Sequence, residues 1–203
     1  MLERINALEK QAKQILDEIK EIKEKANVVA LGSLNPGETF MLGDKEFIVL
    51  EHEGEGTKVI SKNLWGKSRK FGDSKNYITS SLRDYHEKDV YQEIAAVVGD
   101  ENIIEYEVDL TALDGGNDFG TIKCKVSPIP FMEARKYFHL LVNNNLPDWW
   151  WTLTSWNSKK NGREKAVTVV SPSGVVTDYD CYFIDIGVRP FSILRSSIFV
   201  SKC

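Results

Sequence analysis

Apolar residues return on a seven-residue cycle through the opening of the chain. Ile5, Ala12, Ile19 and Ala26 share one position of the cycle, and Leu8, Ile15, Ile22 and Val29 follow three residues after each. Four heptads with apolar a and d positions form a seam that a helix must bury against a partner. From Met1 to Ala30 there is no Pro or Gly, and Glu, Lys, Leu, Ile, Gln and Ala dominate, so the segment reads as helix. In a parallel, in-register bundle Arg4 meets Glu9 and Glu18 meets Lys23 across the flanking g and e positions, both attractive pairs. Isoleucine at both seam positions favours three or more strands, so a homotrimer is expected, although Ala12 and Ala26 narrow the seam. The alternative is that the stripe packs on its own subunit, because an isolated helix of this length is marginal in water. Thirty residues at ~1.5 Å each make a stalk of about 45 Å.

The heptads stop at Val28–Gly37, where Gly32, Pro36 and Gly37 punctuate the chain. Residues 1–30 are therefore expected to be a coiled-coil oligomerisation helix and residues 31–203 one folded domain, a size that supports a single core. Hydrophobic residues at 42% and charged residues at 28% keep the chain far from disordered composition. Short apolar or alternating runs at Glu38–Met41, Glu46–Glu51 and Lys58–Ser61, separated by Gly43–Asp44 and Gly54–Gly56, predict antiparallel strands joined by tight turns. Helices are predicted around Ser80–Val98, capped by Ser80 or Ser81, and around Pro130–Asn143. Strand chemistry returns at Trp149–Thr154, Ala166–Ser171, Gly174–Thr177, Tyr182–Asp185 and Arg189–Val200. The order of elements predicts an α+β class: antiparallel strands with two helices after the amino-terminal one.

A formal net charge of −4 removes the electrostatic drive for general nucleic-acid binding. No stretch approaches the ~20 apolar residues of a membrane span, and the charged opening is unlike a signal peptide, so synthesis in the bacterial cytoplasm without membrane insertion is expected. Cys124, Cys181 and Cys203 lack the spacing of a zinc or redox motif, and His52, His86 and His139 are scattered. No metal and no cofactor are expected.

Several segments resemble a prophage-encoded family of unknown function whose members share a C-type-lectin-like core related to the formylglycine-generating enzymes. The matching pieces are Leu31-Gly-Ser-Leu-Asn-Pro-Gly-Glu-Thr-Phe40, Phe47-Ile-Val-Leu50, Ser81-Leu-Arg83, Val108-Asp-Leu-Thr-Ala-Leu-Asp-Gly115, Trp149–Trp151 and Gly187-Val-Arg-Pro190. The resemblance implies that Trp149, Trp150, Trp151, Gly187, Arg189 and Pro190 belong to the folded core and that intervening residues form surface loops. It also implies display at phage-tail tips or on adhesins. The stretch Thr152–Arg163 departs from the shorter, small-residue and proline segment of that family.

Within that departing stretch, Trp156, Asn157, Lys159, Lys160 and Arg163 combine a flat apolar face with adaptable polar groups, the mixture recognition loops use. Asp178, Tyr179 and Tyr182 add platforms and hydrogen-bonding groups for a surface glycan or protein ligand. Against this, alternation along a strand would bury two of the three consecutive tryptophans, with Trp149 and Trp151 as core, and the loop cations are equally a solvated face. Asp109, Asp114, Asn117 and Asp118 around Gly115–Gly116 read as a turn capped by Asx side chains in preference to a calcium loop. Arg189, held extended by Pro190, reads as a structural tie to a carboxylate or to backbone carbonyls. No nucleophile stands beside a base in the sequence.

The expectation is a non-enzymatic phage or prophage protein, a tail-associated receptor-binding or adhesin-like component. One alternative is an intracellular phage effector that binds and inhibits a host defence protein. A second is an enzyme related to the formylglycine-generating oxidases.

Overall fold

The computed structural model describes residues 2–25, 27–161 and 163–203, with Glu3, Ala7, Lys23, Glu24, Lys25 and Lys160 described by backbone alone. Of the residues singled out above, Ala26 and the side chains of Lys23 and Lys160 lie outside the described part.

Helix α1 (Leu2–Lys25) begins the chain. It ends where Asn27 adopts a left-handed φ of 53° and donates through Nδ2 to the Lys202 carbonyl at 2.8 Å, while Lys202 N–H donates back at 3.0 Å. This reciprocal tie turns the chain into strand β1 (Val28–Ala30), which pairs antiparallel with β13 (Phe199–Lys202). Val29 is therefore not the last seam residue of the helix. It sits opposite Val200 and packs on the core, because an Asn in the left-handed region stops the helix before the fourth heptad is complete.

The protein is mixed α+β, and the ladders between its named strands are antiparallel, with one parallel bridge between Trp150 and Gly187. Strands β2 (Thr39–Leu42), β3 (Lys45–Glu53) and β4 (Gly56–Ser61) form the predicted meander, with turns at Gly43 and Gly54. Strands β5 (Ile103–Ile104), β8 (Val126–Pro128) and β12 (Pro190–Arg195) complete the large sheet in the order β1-β13-β2-β3-β4-β12-β5, with β8 also pairing β12. Strands β6 (Tyr106–Asp109) and β7 (Thr121–Cys124) make a two-stranded ribbon, and β9 (Trp150–Ser155), β10 (Ala166–Val170) and β11 (Val176–Asp180) a three-stranded sheet.

The run Phe47-Ile-Val-Leu50 is unbroken by polar residues because β3 is covered on both faces. Phe47 and Val49 join a cluster with Leu31, Phe40 and Ile94, while Ile48 and Leu50 join Tyr137, Leu141 and Trp150 on the other side. The first cover is helical. Helix α2 (Ser81–Tyr85) opens on Ser80, whose hydroxyl accepts from Arg83 N–H at 3.0 Å, and runs through a π-helical turn (His86–Val90) into α3 (Tyr91–Val98). The opposite cover is α4 (Phe131–Lys136) and α5 (Phe138–Leu141), with the three-stranded sheet beside them. The single helix predicted over 130–143 is thus broken at Tyr137, whose ψ of 16° leaves the helical region.

Strand β9 corrects the reading of the tryptophans. Trp150 and Trp151 are both fully buried, and Trp149 is the half-buried one. Alternation sends Trp150 into the cluster with Ile60 and Phe191, and Trp151 into a third cluster with Phe71, Leu153 and Cys181. A strand buried on both faces hides consecutive residues, which a one-sided strand cannot do. Gly187 sits beside it: Gly187 N–H donates to the Trp149 carbonyl at 2.7 Å, Trp151 N–H donates to Gly187 at 3.1 Å, and a Cβ on Gly187 would meet Leu64 at 2.5 Å. Residues Tyr182–Asp185, predicted as strand, form a turn, and Arg189–Val200 is two strands split by the turn at Ser196–Ser197.

Candidate functional site

The antiparallel register of β10 and β11 sets Ala166 opposite Asp180 and Thr168 opposite Asp178, so the residues entering β10 and those leaving β11 share one end of the three-stranded sheet. There Arg163 pairs with Asp178 at 2.5 Å, Tyr182 donates to Asp180 at 2.6 Å, and Lys165 Nζ stands 5.2 Å from the Tyr182 ring centroid. An aromatic row crosses the same end. Trp149 meets Tyr179 edge-on at 5.7 Å, Tyr179 meets Phe183 at 5.4 Å, and Phe183 stacks on Tyr182 at 5.7 Å with planes 18° apart. Such geometry holds flat apolar faces rigidly with little further entropy to lose. Tyr182, Phe183 and Ile184 are 50%, 44% and 64% exposed, three consecutive large apolar residues open to solvent. Arg163, Asp178, Tyr179 and Tyr182 were legible as candidates in the sequence. Phe183 and Ile184 were missed because the stretch read as a strand, where alternation would have hidden half of it.

No protein-family model, curated protein or solved structure matches the chain. Chemistry must therefore be read from the side chains.

The loop 156–163 is anchored from below. Asp114 accepts from Ser158 N–H at 2.8 Å, from the Ser158 hydroxyl at 2.9 Å, from Asn161 Nδ2 at 2.5 Å and from Gly116 N–H at 3.1 Å. The Ser158 N–H foremost, with the other donors, holds the Asp114 carboxyl well below the usual range against the opposing effect of desolvation. Asp118 accepts from Lys159 N–H at 2.6 Å. A Cβ at Gly116 would lie 2.2 Å from Ser158 Cβ, so only glycine lets the two loops meet. The Asp-Gly-Gly-Asn-Asp turn thus uses two carboxylates to fasten the neighbouring loop, and among the described residues no group of three His, Cys, Asp or Glu is placed to hold a metal ion.

Asn157 is a correction to the predicted contact set. It is buried, its Oδ1 accepts from the equally buried Lys75 at 3.0 Å, and its Nδ2 donates to the Asn161 carbonyl at 3.1 Å. Lys75 also reaches the Ser158 carbonyl at 3.2 Å, and burial lowers its pKa. These amide and ammonium groups build the loop from inside because its carbonyls, turned inward, need donors. Trp156 is half-buried, its backbone N–H donating to the Ala166 carbonyl at 3.0 Å, and Lys159 is exposed with Nζ 5.2 Å from the Phe119 ring.

The thiols of Cys124 and Cys181 are buried and Cys203 is exposed. Burial pushes the Cys124 thiol up to about 11 and raises that of Cys181, the reverse of what a reactive thiolate requires.

A second concavity escaped the sequence altogether. A groove of about 630 Å³ runs over Tyr106, Val108, Phe191 and Ile193, walled by Thr111–Leu113, Thr154, Pro130 and Met132. Lys58 also lines it, 3.0 Å from Glu51, 3.0 Å from Glu53 and 2.9 Å from Glu133. Burial would lower the Lys58 pKa, but the hydrogen bonds it donates to Glu133, Glu53 and Glu51 raise it well above the ordinary ammonium value. Tyr137 donates to Glu51 at 2.5 Å, and that bond with the Lys58 bond holds the Glu51 carboxyl down. Residues from seven separate segments meet here, so no local pattern announces it.

Proposed function

We propose that the protein is a non-enzymatic recognition component whose residues 31–203 display a ligand-binding surface on an oligomerising helix. The carrying observation is the exposed Tyr182-Phe183-Ile184 stretch, backed by Tyr179 and Trp149 and flanked by the Arg163–Asp178 pair and Lys165. Rigid aromatic faces beside fixed charges suit the apolar face of a glycan or an anchor residue of a protein ligand. A C-type-lectin-like reading of the α+β core agrees with loops gathered around a small antiparallel sheet. The setting on a phage tail or adhesin rests on the resemblance of the sequence segments.

The helix supports display. Ile5, Leu8, Ile15, Ile19 and Ile22 are all exposed in the single chain, with Ile15 at 55%. An apolar stripe of that length facing water is stabilised by self-association, and a parallel trimer follows from isoleucine at both seam positions.

Two experiments test the reading. Binding of the full chain to glycan arrays and to bacterial cells should fall at least ~10-fold in a Tyr182→Ala/Phe183→Ala variant, since aromatic anchors carry most of an interface's energy. Absence of any surface ligand, or equal binding by the variant, would overturn it. A single stoichiometric protein recovered from host lysate, and lost with the same variant, would favour the intracellular effector instead. Sedimentation should give a trimer for the parent and a monomer for Ile15→Asp, whose circular dichroism keeps the strand signal of residues 27–203. A monomeric parent would refute the assembly.

A further inference from the structure

The groove over Tyr106 and Phe191 has a charge imbalance that its apolar floor does not explain. Four carboxylates, Glu53, Glu107, Asp109 and Glu133, border it against one ammonium, Lys58. That ammonium is already spent: it faces Glu51, Glu53 and Glu133 together, and Glu133 is further matched by Lys136 at 2.6 Å. Glu107 is exposed, and its carboxylate makes no hydrogen bond or ion pair with another described residue. Its cross-strand neighbour Lys123 is turned to Glu105 at 3.7 Å. Asp109 uses one oxygen to accept from Thr111 N–H and hydroxyl, at 2.8 and 2.6 Å.

We propose that this groove is a second binding site, which takes a peptide segment presenting an arginine or lysine beside an apolar side chain. Its volume of about 630 Å³ suits a few side chains and is lined by Tyr106 and Phe191, which pack edge-to-face at 5.3 Å and form a fixed apolar floor. Met132, 58% exposed on the wall, is unbranched and adapts to the apolar side chain it meets. The basic group meets Glu107 and Asp109, whose carboxylates no cation of the described residues pairs with, while Lys58 is neutralised by Glu51, Glu53 and Glu133. The site is separate from the aromatic row, so its occupant and that surface's ligand are independent.

Fluorescence anisotropy with an end-blocked, labelled Leu-Arg-Leu-Arg peptide tests this, against Leu-Gln-Leu-Gln as control. The full chain should bind the arginine peptide about tenfold more tightly, with the advantage shrinking as salt rises. Glu107→Lys should abolish that advantage and Glu107→Gln should reduce it, both with unchanged circular dichroism because the residue is exposed. Tyr182→Ala should leave it intact, which separates failure here from failure of the aromatic surface. Equal binding of the two peptides, no binding of either, indifference to Glu107→Lys, or loss on Tyr182→Ala would each overturn the proposal.

Discussion

Arg189→Ala unfolds about 10 °C below the parent, from a loss of roughly 4 kcal/mol in a chain of this size. Arg189 is fully buried, and among the described residues no carboxylate pairs with it. Its Nε donates to the Ser61 carbonyl at 3.0 Å, its Nη1 donates to the Leu141 carbonyl at 2.9 Å, and the guanidinium lies 5.1 Å from the Trp150 ring centroid. Those partners end β4, end α5 and begin β9, so one side chain ties the large sheet, the helical cover and the three-stranded sheet together. Burial lowers its pKa to about 10, which leaves it cationic at neutral pH. Truncation to alanine opens a cavity and strips two buried carbonyls of their donor. Arg189→Met refills most of the volume and removes a buried charge while leaving the carbonyls bare, so it should cost less than half as much. Thermal and urea unfolding of the three proteins checks both statements. An alanine variant as stable as the parent, or a methionine variant no better than alanine, would sink the account.

Between pH 6.5 and 4 the protein should lose stability by an amount that a His86→Gln variant does not lose. His86 is fully buried at the start of the π-helical turn, with Nδ1 2.8 Å from the Leu82 carbonyl and Nε2 without a partner. The Leu82 carbonyl assigns the proton to Nδ1. Burial, opposed by that same carbonyl, lowers the imidazole pKa from 6.5 to about 4. The folded pKa is below the unfolded one, so the contribution is full above pH 6.5 and disappears as pH falls through 4. At ~1.4 kcal/mol per pH unit the gap amounts to about 3 kcal/mol. Urea midpoints measured in parallel from pH 7.5 to 4 separate this from the carboxylates: Glu51 and Glu133, held down in the folded state, are common to both proteins. Parallel curves for parent and variant would remove His86 from the explanation.

Local patterns in the sequence were enough to mark α1, the Ser80 cap, the β2–β4 meander with its turns at Gly43 and Gly54, and the helical run over 81–98. Each is set by contacts within a few residues, where periodicity and turn chemistry act directly. The short strands β5 to β8 were invisible, because two to four residues carry no measurable period. Val29 and the tryptophans failed for a different reason. The seam periodicity continued through Val29 after Asn27 had ended the helix, and one-sided alternation was assumed for a strand that proved to be covered twice.

The site divides the same way. Residue types competent for recognition were readable at Arg163, Asp178, Tyr179 and Tyr182, since composition shows what a side chain can do. Which of them share a surface depended on the β10–β11 register, and turning Asn157 inward depended on Lys75, some eighty residues earlier. The acidic groove joins β3, β4, β6, β9, β12, the 111–115 loop and α4, and a concavity of that kind exists only after distant segments pack. Short-range hydrogen bonding and hydrophobic period reside in neighbouring residues and were determined by the sequence alone. Burial, charge balance and the fate of each buried polar group belong to contacts between remote segments, and only the tertiary structure decided them.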